Sequence, residues 1–285
     1  MLFDTHAHLD FPDFAKDFDA VLDRAAAAGI ERLITIGTTI ESSRRAVELA
    51  EKYPQVYAVV GVHPNSADEA AENFIADLRA LAQSPRVVAL GETGLDYHRL
   101  PSTKLLQPQL PVYAEMPLND PLEPIASVRD GAYKAQQASV FEQQLDLAAE
   151  LGLNVVIHER DSWDDTLAIL KPYTGKLRAV YHCFGKGPGF ARQLLELGHL
   201  VSFTGIVTFK NAAEAQQTAR EIPADAFMVE TDCPFLAPVP YRGKRCEPAY
   251  TRQTAEHISR LRGETLETIA RHTSATARRF FRFPN

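Results

Sequence analysis

Nine histidines are spread through the 285 residues, and four of them stand where they could do chemistry. His6 and His8 close an apolar run at the amino terminus, and His158 and His182 close two later runs. Two carboxylates, Glu92 and Asp232, follow two further runs in the same way. Four imidazoles and two carboxylates make a nitrogen and oxygen donor set suited to divalent metals. His6 and His8 are two apart, so in a strand they point to one face and can chelate a single ion. An H-x-H pair alone is a weak signal; it gains weight from four more donors at the ends of other runs. Six donors exceed the needs of one tetrahedral ion, whereas two ions about 3.5 to 4 Å apart, bridged by a carboxylate, use them all. The expected partition puts His6, His8 and Asp232 on one ion, His158 and His182 on the other, and Glu92 between them. A water shared by such ions has a lowered pKa and supplies hydroxide near neutrality. Asp232, beside that water, is the candidate for proton transfer, which makes Asp232 and Glu92 the expected catalytic pair. Magnesium, manganese and zinc all suit this donor set.

The elements that must carry these donors recur along the chain. Short apolar, often β-branched runs cover Leu2–Thr5, Arg32–Ile36, Val56–Gly61, Val87–Gly91, Asn154–Ile157, Leu177–Tyr181, Leu200–Phe203 and Phe227–Glu230. Helix-length amphipathic segments lie between most of them, such as Phe14–Ala28, Tyr133–Leu151 and Phe190–Leu197, each followed by a glycine stop. Eight strand-then-helix units are the pattern of a TIM-type (β/α)8 barrel, whose strands are buried on both faces. An open doubly wound sheet is the alternative. In a barrel all the strand ends meet at one mouth, where such enzymes place their chemistry. Strand starts are about 20 to 30 residues apart except after Val87. There, residues 99–132 hold six of the 18 prolines and show no helical or alternating period. This Pro-rich insertion in the loop after the fourth strand is expected to lie on the mouth side as a lid, a selector of short substrates or a subunit contact. Without it about 250 residues remain, the size of one barrel, so residues 1–285 read as a single domain.

Composition narrows the function. Thirty basic against 37 acidic residues give a net charge of −7, which disfavours bulk coating of nucleic acid or an anionic membrane. Three widely spaced cysteines, at 183, 233 and 246, form no C-x-x-C pair and no disulfide framework. With no signal-peptide pattern and no long apolar window, the expectation is a cytoplasmic protein without membrane contact, a monomer by preference.

Six ordered blocks then carry a resemblance. They are Phe3-Asp4-Thr5-His6-Ala7-His8-Leu9-Asp10, Gly61-Val62-His63-Pro64, Gly91-Glu92-Thr93-Gly94-Leu95-Asp96-Tyr97, His182-Cys183-Phe184, Thr208-Phe209-Lys210-Asn211 and Glu230-Thr231-Asp232. Together they resemble the TatD family of metal-dependent deoxyribonucleases over nearly the whole chain outside the insertion. The resemblance implies a TIM-type barrel, a divalent-metal centre on the residues named above and phosphodiester hydrolysis, often from the 3′ end of DNA. It also brings in Arg160, after His158, and the run from Arg242 through Lys244 to Pro248 as a local phosphate site on the mouth. The sequence departs from the family at Cys246, where Asn is common, at Gly185-Lys186, and at Thr276, where Asn is frequent.

Other residues divide between chemistry and packing. His63 is assigned to substrate phosphate or transition-state contact, with a loop cap as the plainer use. His98 is ambiguous, and His199, His257 and His272 fall away from the mouth. Pleat alternation turns Cys183 and Cys233 away from the metals. Trp163, Phe184, Phe203, Phe209 and Tyr241 lie near strand ends, where aromatics stack bases or simply pack. Three functions compete: a 3′–5′ exodeoxyribonuclease acting on single-stranded DNA ends, an amidohydrolase-like hydrolase of a small-molecule ester, lactone or amide, and a non-enzymatic scaffold. Small phosphorylated substrates stay open beside DNA. Glu92 stands where carboxylated-lysine amidohydrolases use a lysine, which weakens the second, and the intact donor set weakens the third.

Overall fold

A computed structural model of the chain describes residues 1–102 and 122–283. Its eight strands are β1 (Leu2–Ala7), β2 (Ile30–Ile36), β3 (Val56–Val60), β4 (Val87–Asp96), β5 (Val155–Arg160), β6 (Ala179–Tyr181), β7 (Leu200–Phe203) and β8 (Phe227–Val229). They form one parallel sheet in sequential order. Just beyond β8 the sheet returns to β1: the Asp232 N–H donates to the His6 carbonyl at 2.8 Å, and the His8 N–H donates to the Cys233 carbonyl at 2.8 Å. The architecture is therefore the (β/α)8 barrel. A doubly wound sheet would reverse its strand order and keep two open edges. The strands form where they do because apolar side chains face both the barrel interior and the helices; every residue of β3 and β4 is buried.

Each apolar run falls on one strand, and the differences lie at the ends. β1 and β5 extend through His6 and His158, and β4 continues past Gly91 to Asp96. After a register shift between Leu90 and Thr93, β4 resumes pairing with β5, with Gly94 opposite His158. The glycine stop expected after the first long helix, Phe18–Ala27, is present as Gly29 with φ 84°.

The insertion differs from its sequence reading where it is described. The helix expected from Tyr133 begins at Leu122 and runs 30 residues to Leu151. Pro124 lies in its first turn, where no intrahelical N–H is needed. Before Tyr133, Val128 is 71% exposed, and Arg129, Gly131 and Ala132 are exposed too, so this stretch carries no apolar period. Residues 103–121, with Pro108, Pro111, Pro117 and Pro121, lie outside the described residues. Further along the same helix, Gln144 accepts from the Val62 N–H at 2.8 Å and donates to Thr93 Oγ1 at 2.7 Å. Gln137 accepts from the Asp96 N–H at 3.0 Å. The helix thereby ties down the ends of β3 and β4, which present the mouth residues.

Candidate metal centre

His6, His8, Glu92, His158, His182 and Asp232 converge at the C-terminal ends of the strands, around a cavity of about 840 Å³. All six line it except His6, which is fully buried beneath. Glu92 occupies the middle. Its Oε2 lies 3.4 Å from His6 Nε2 and 3.9 Å from His8 Nε2, and its Oε1 lies 2.8 Å from both His158 Nδ1 and His182 Nε2. Asp232 Oδ1 closes the His6 and His8 side, at 3.6 and 3.3 Å from their Nε2 atoms.

Two backbone features put the carboxylates there. The register shift in β4 releases Glu92 from the ladder, and Gly91, at φ 131°, lets the strand press against β5. A Cβ at Gly91 would sit 2.5 Å from the Val156 carbonyl oxygen. Asp232 sits at φ 60°, a left-handed conformation that Asp tolerates better than most residues and that its hydrogen bond to His6 holds.

The donors fit a divalent centre by a test independent of family. Both ring nitrogens of His6 and Nδ1 of His182 are buried without a hydrogen-bond partner. Such orphaned atoms cost free energy unless something else binds them. Burial opposes ionisation of Glu92, but the His182 imidazole and the hydrogen bond from His158 outweigh it and hold the carboxyl well below the usual range. Burial and then His182 push the His6 pKa down, toward the neutral form that ligation uses, whereas neighbouring carboxylates outweigh burial and raise His8, His158 and His182. Among the described residues, three clusters have ligand atoms within ion-binding reach of one another: His6, His8 and Asp232; His63, Glu92 and His158; and His6, His182 and Glu230. The first coincides with the sequence partition. The others introduce His63 and Glu230.

His63 caps its loop and also faces the centre. Its Nδ1 accepts from the Asn65 N–H at 3.0 Å, capping the short turn Pro64–Glu69. The neutral ring therefore carries its proton on Nε2, which lies 3.2 Å from His158 Nδ1 and 3.6 Å from Glu92 Oε1. Burial, and then His158, push the His63 pKa down to about 3. An uncharged donor thus faces the cavity.

Two supporting carboxylates were not assigned from sequence. Glu230 Oε1 accepts the Cys183 N–H at 2.7 Å and lies 3.6 Å from His182 Nδ1. Asp96 Oδ2 lies 3.3 Å from His158 Nε2 and accepts from Asn65 Nδ2 at 3.0 Å. Carboxylates behind ligating histidines fix ring orientation and raise basicity. Their signal was present, as acidic residues at positions otherwise destined for burial, two before Asp232 and four after Glu92.

The substrate side departs further from the sequence reading. Arg160 lines the cavity, joined by Arg99 and Lys186, the last 3.3 Å from Glu159 Oε2. Arg242 and Lys244 do not. Arg242 lies 3.7 Å over the Phe209 ring, and Lys244 lies beside Tyr241. Their segment is drawn off the mouth because Arg245 pairs with Asp17 at 2.7 Å and the Cys246 N–H bonds the Pro234 carbonyl at 2.9 Å. Cys183 is not turned away as alternation predicted. It lines the cavity because it has left the strand at φ 50°; Cys233 is buried as expected. Of the five aromatics, only Phe184 reaches the cavity lining. Phe203 is core, Tyr241 stacks on Tyr250 at 4.1 Å, and Trp163 packs on Phe190. Phe11 and Phe235, which drew no attention in the sequence, stand at the rim.

Comparison with known proteins gives a consistent picture. The family described as TatD related DNase matches residues 3–282. An uncharacterized metal-dependent hydrolase of Bacillus subtilis, YabD, is 38% identical over 283 residues, covering 99% of each chain. The 3′-5′ ssDNA/RNA exonuclease TatD of Erwinia billingiae is 35% identical over 290 residues, covering 99% of this chain and 100% of its own. Among solved structures, the TatD homolog YjjV of Escherichia coli superposes with a TM-score of 0.84 at 27% identity, covering 99% of this chain and 98% of its own.

Proposed function

The chain belongs to the TatD related DNase family of metal-dependent hydrolases, and on that premise we propose that it is a 3′–5′ exonuclease acting on single-stranded DNA ends with two divalent ions. The observation that carries the two-ion reading is the division of Glu92, whose two oxygens each face a different imidazole pair. His6, His8 and Asp232 would hold one ion, His158 and His182 the other, and Glu92 both. Bound there, divalent ions supply Lewis acidity and lower the pKa of a water.

The remaining work belongs to side chains. Asp232, in contact with the cavity and ionised because the His8, His6 and His182 imidazoles outweigh its burial, is placed to take a proton from the attacking water. His63 presents Nε2–H to a phosphate oxygen as it gains charge. Arg160 offers a second, charged donor at the rim. Preference for single-stranded ends is supported by the named activity of the Erwinia relative and by a recessed centre that a chain terminus enters more easily than continuous duplex. The three cysteines, all free thiols, accord with a reducing cytoplasm.

The test is digestion of a 5′-labelled single-stranded oligonucleotide in magnesium or manganese, with Glu92→Ala and Asp232→Asn alongside. A one-nucleotide ladder lost in both variants is the expected result. Metal-loaded wild type that leaves the oligonucleotide intact would refute the nuclease.

A further inference from the structure

The mouth is chemically lopsided. Over the ends of β4 to β6 its rim is charged, with Arg99, Arg160 and Lys186 beside Glu159 and Asp161. Over the ends of β8 and β1 it is aromatic. Phe11 lies three residues after His8 and Phe235 three after Asp232, and each is pinned by a backbone turn: the Phe11 N–H donates to the His8 carbonyl at 3.3 Å, and the Phe235 N–H to the Asp232 carbonyl at 3.0 Å. The Phe11 ring is stacked on the His8 imidazole, with centroids 5.0 Å apart. Phe235 meets Phe11 edge-on at 5.8 Å and His8 at 6.4 Å. The result is a two-ring corner bracketed to the candidate ligands.

Phe235 nevertheless leaves 51% of its surface exposed, in a protein whose other phenylalanines among the described residues are mostly buried. Apolar surface held open beside a polar centre, by fixed turns and next to a second ring, is what a flat apolar ligand group would cover. A nucleotide whose phosphate sits on the metal ligands carries its base only one sugar away. Stacking on an aromatic face accepts any base, as an exonuclease that works along a strand requires.

We propose that Phe11 and Phe235 form a stacking platform for the base of a nucleotide flanking the scissile phosphate, and so help select nucleic acid over other phosphodiesters. This inference rests on the nuclease reading above. Arg99 and Arg160 across the cavity and the aromatic corner would then hold opposite parts of one nucleotide end, the charge and the ring.

The experiment compares wild type with Phe235→Leu, which keeps apolar bulk but has no ring, and with Phe235→Tyr, which restores one. Three single-stranded oligonucleotides are used: unmodified, abasic at the 3′-terminal position, and abasic at the penultimate position. The expected result is a loss of about tenfold in kcat/KM for Phe235→Leu on the unmodified strand, recovery in Phe235→Tyr, and no difference between Leu and wild type on one of the abasic strands. An equal loss on all three strands would overturn the platform and leave Phe235 as a prop for His8. Undiminished cleavage of the unmodified strand by the Leu variant would overturn it too. Wild type that cuts no strand would instead sink the nuclease reading, and the platform with it.

Discussion

The two ends of the barrel are built to opposite rules. At the end where the strands begin, most polar groups pair within the protein, with His199 Nε2 a buried exception. Asn154 donates to the Phe280 carbonyl at 2.6 Å and accepts from the Arg178 N–H at 3.0 Å. Arg32 lies against the rings of Phe3, Tyr57 and Phe283, and Arg86 Nε donates to the Ala50 carbonyl at 2.8 Å. At the end where the strands finish, buried nitrogens of His6 and His182 lack partners, and Asp232 and Cys183 hold left-handed backbone. One end spends its polar chemistry on internal closure and the other leaves it open to be completed by ions and substrate. Strain and unsatisfied groups gather where they serve function.

That contrast is open to direct challenge, most severely at Glu92. Glu92→Gln keeps the shape and removes the charge that both imidazole pairs face, so the proposed nuclease activity should fall about a thousandfold. In chelator its unfolding midpoint should stay within about 3 °C of wild type; a large drop would show that the mouth carries stability after all. Glu230 stands beside His6 and His182 and is bonded to the Cys183 N–H and Thr5 Oγ1, and Glu230→Gln removes its charge. It should weaken metal affinity about 10- to 100-fold in a titration, with little change in the fold measured by circular dichroism. At the opposite end, Asn154→Ala strips two buried hydrogen bonds. It should cost about 1 to 3 kcal/mol in denaturant unfolding while turnover at saturating metal and substrate stays near wild type. Smallest is Arg242→Ala. Exposed and stacked on Phe209 rather than lining the cavity, it should change kcat/KM by less than about threefold, and a larger loss would return the basic segment to the substrate path.

How far these positions were legible from sequence follows the same division. The donors at His6, His8, Glu92, His158, His182 and Asp232 could be read because each follows an apolar run, and the β/α order already sends such ends to one mouth. Phe11 and Phe235 were overlooked because they meet only across the closed barrel. Glu230 and Asp96 were visible as acidic residues at buried positions, but their roles come from His182 and His158 on other strands. Arg242 and Lys244 were misplaced for a related reason. Their composition marks a phosphate site, but the ion pair from Arg245 to Asp17 decides where the loop lies. The stretch of the helix Leu122–Leu151 before Tyr133 was missed because exposed residues such as Val128 and Arg129 carry no apolar period.

By itself, the sequence determined the eight-unit barrel and the types of donor at its mouth, since period and order are local properties that burial on two faces imposes. Only the tertiary structure decided which oxygen of Glu92 faces which imidazole pair, which nitrogen of His63 is left to donate, and which cations and rings border the cavity. Those outcomes depend on distances of a few ångströms between residues from different strands, and such distances are set by closing the barrel, not by any one segment.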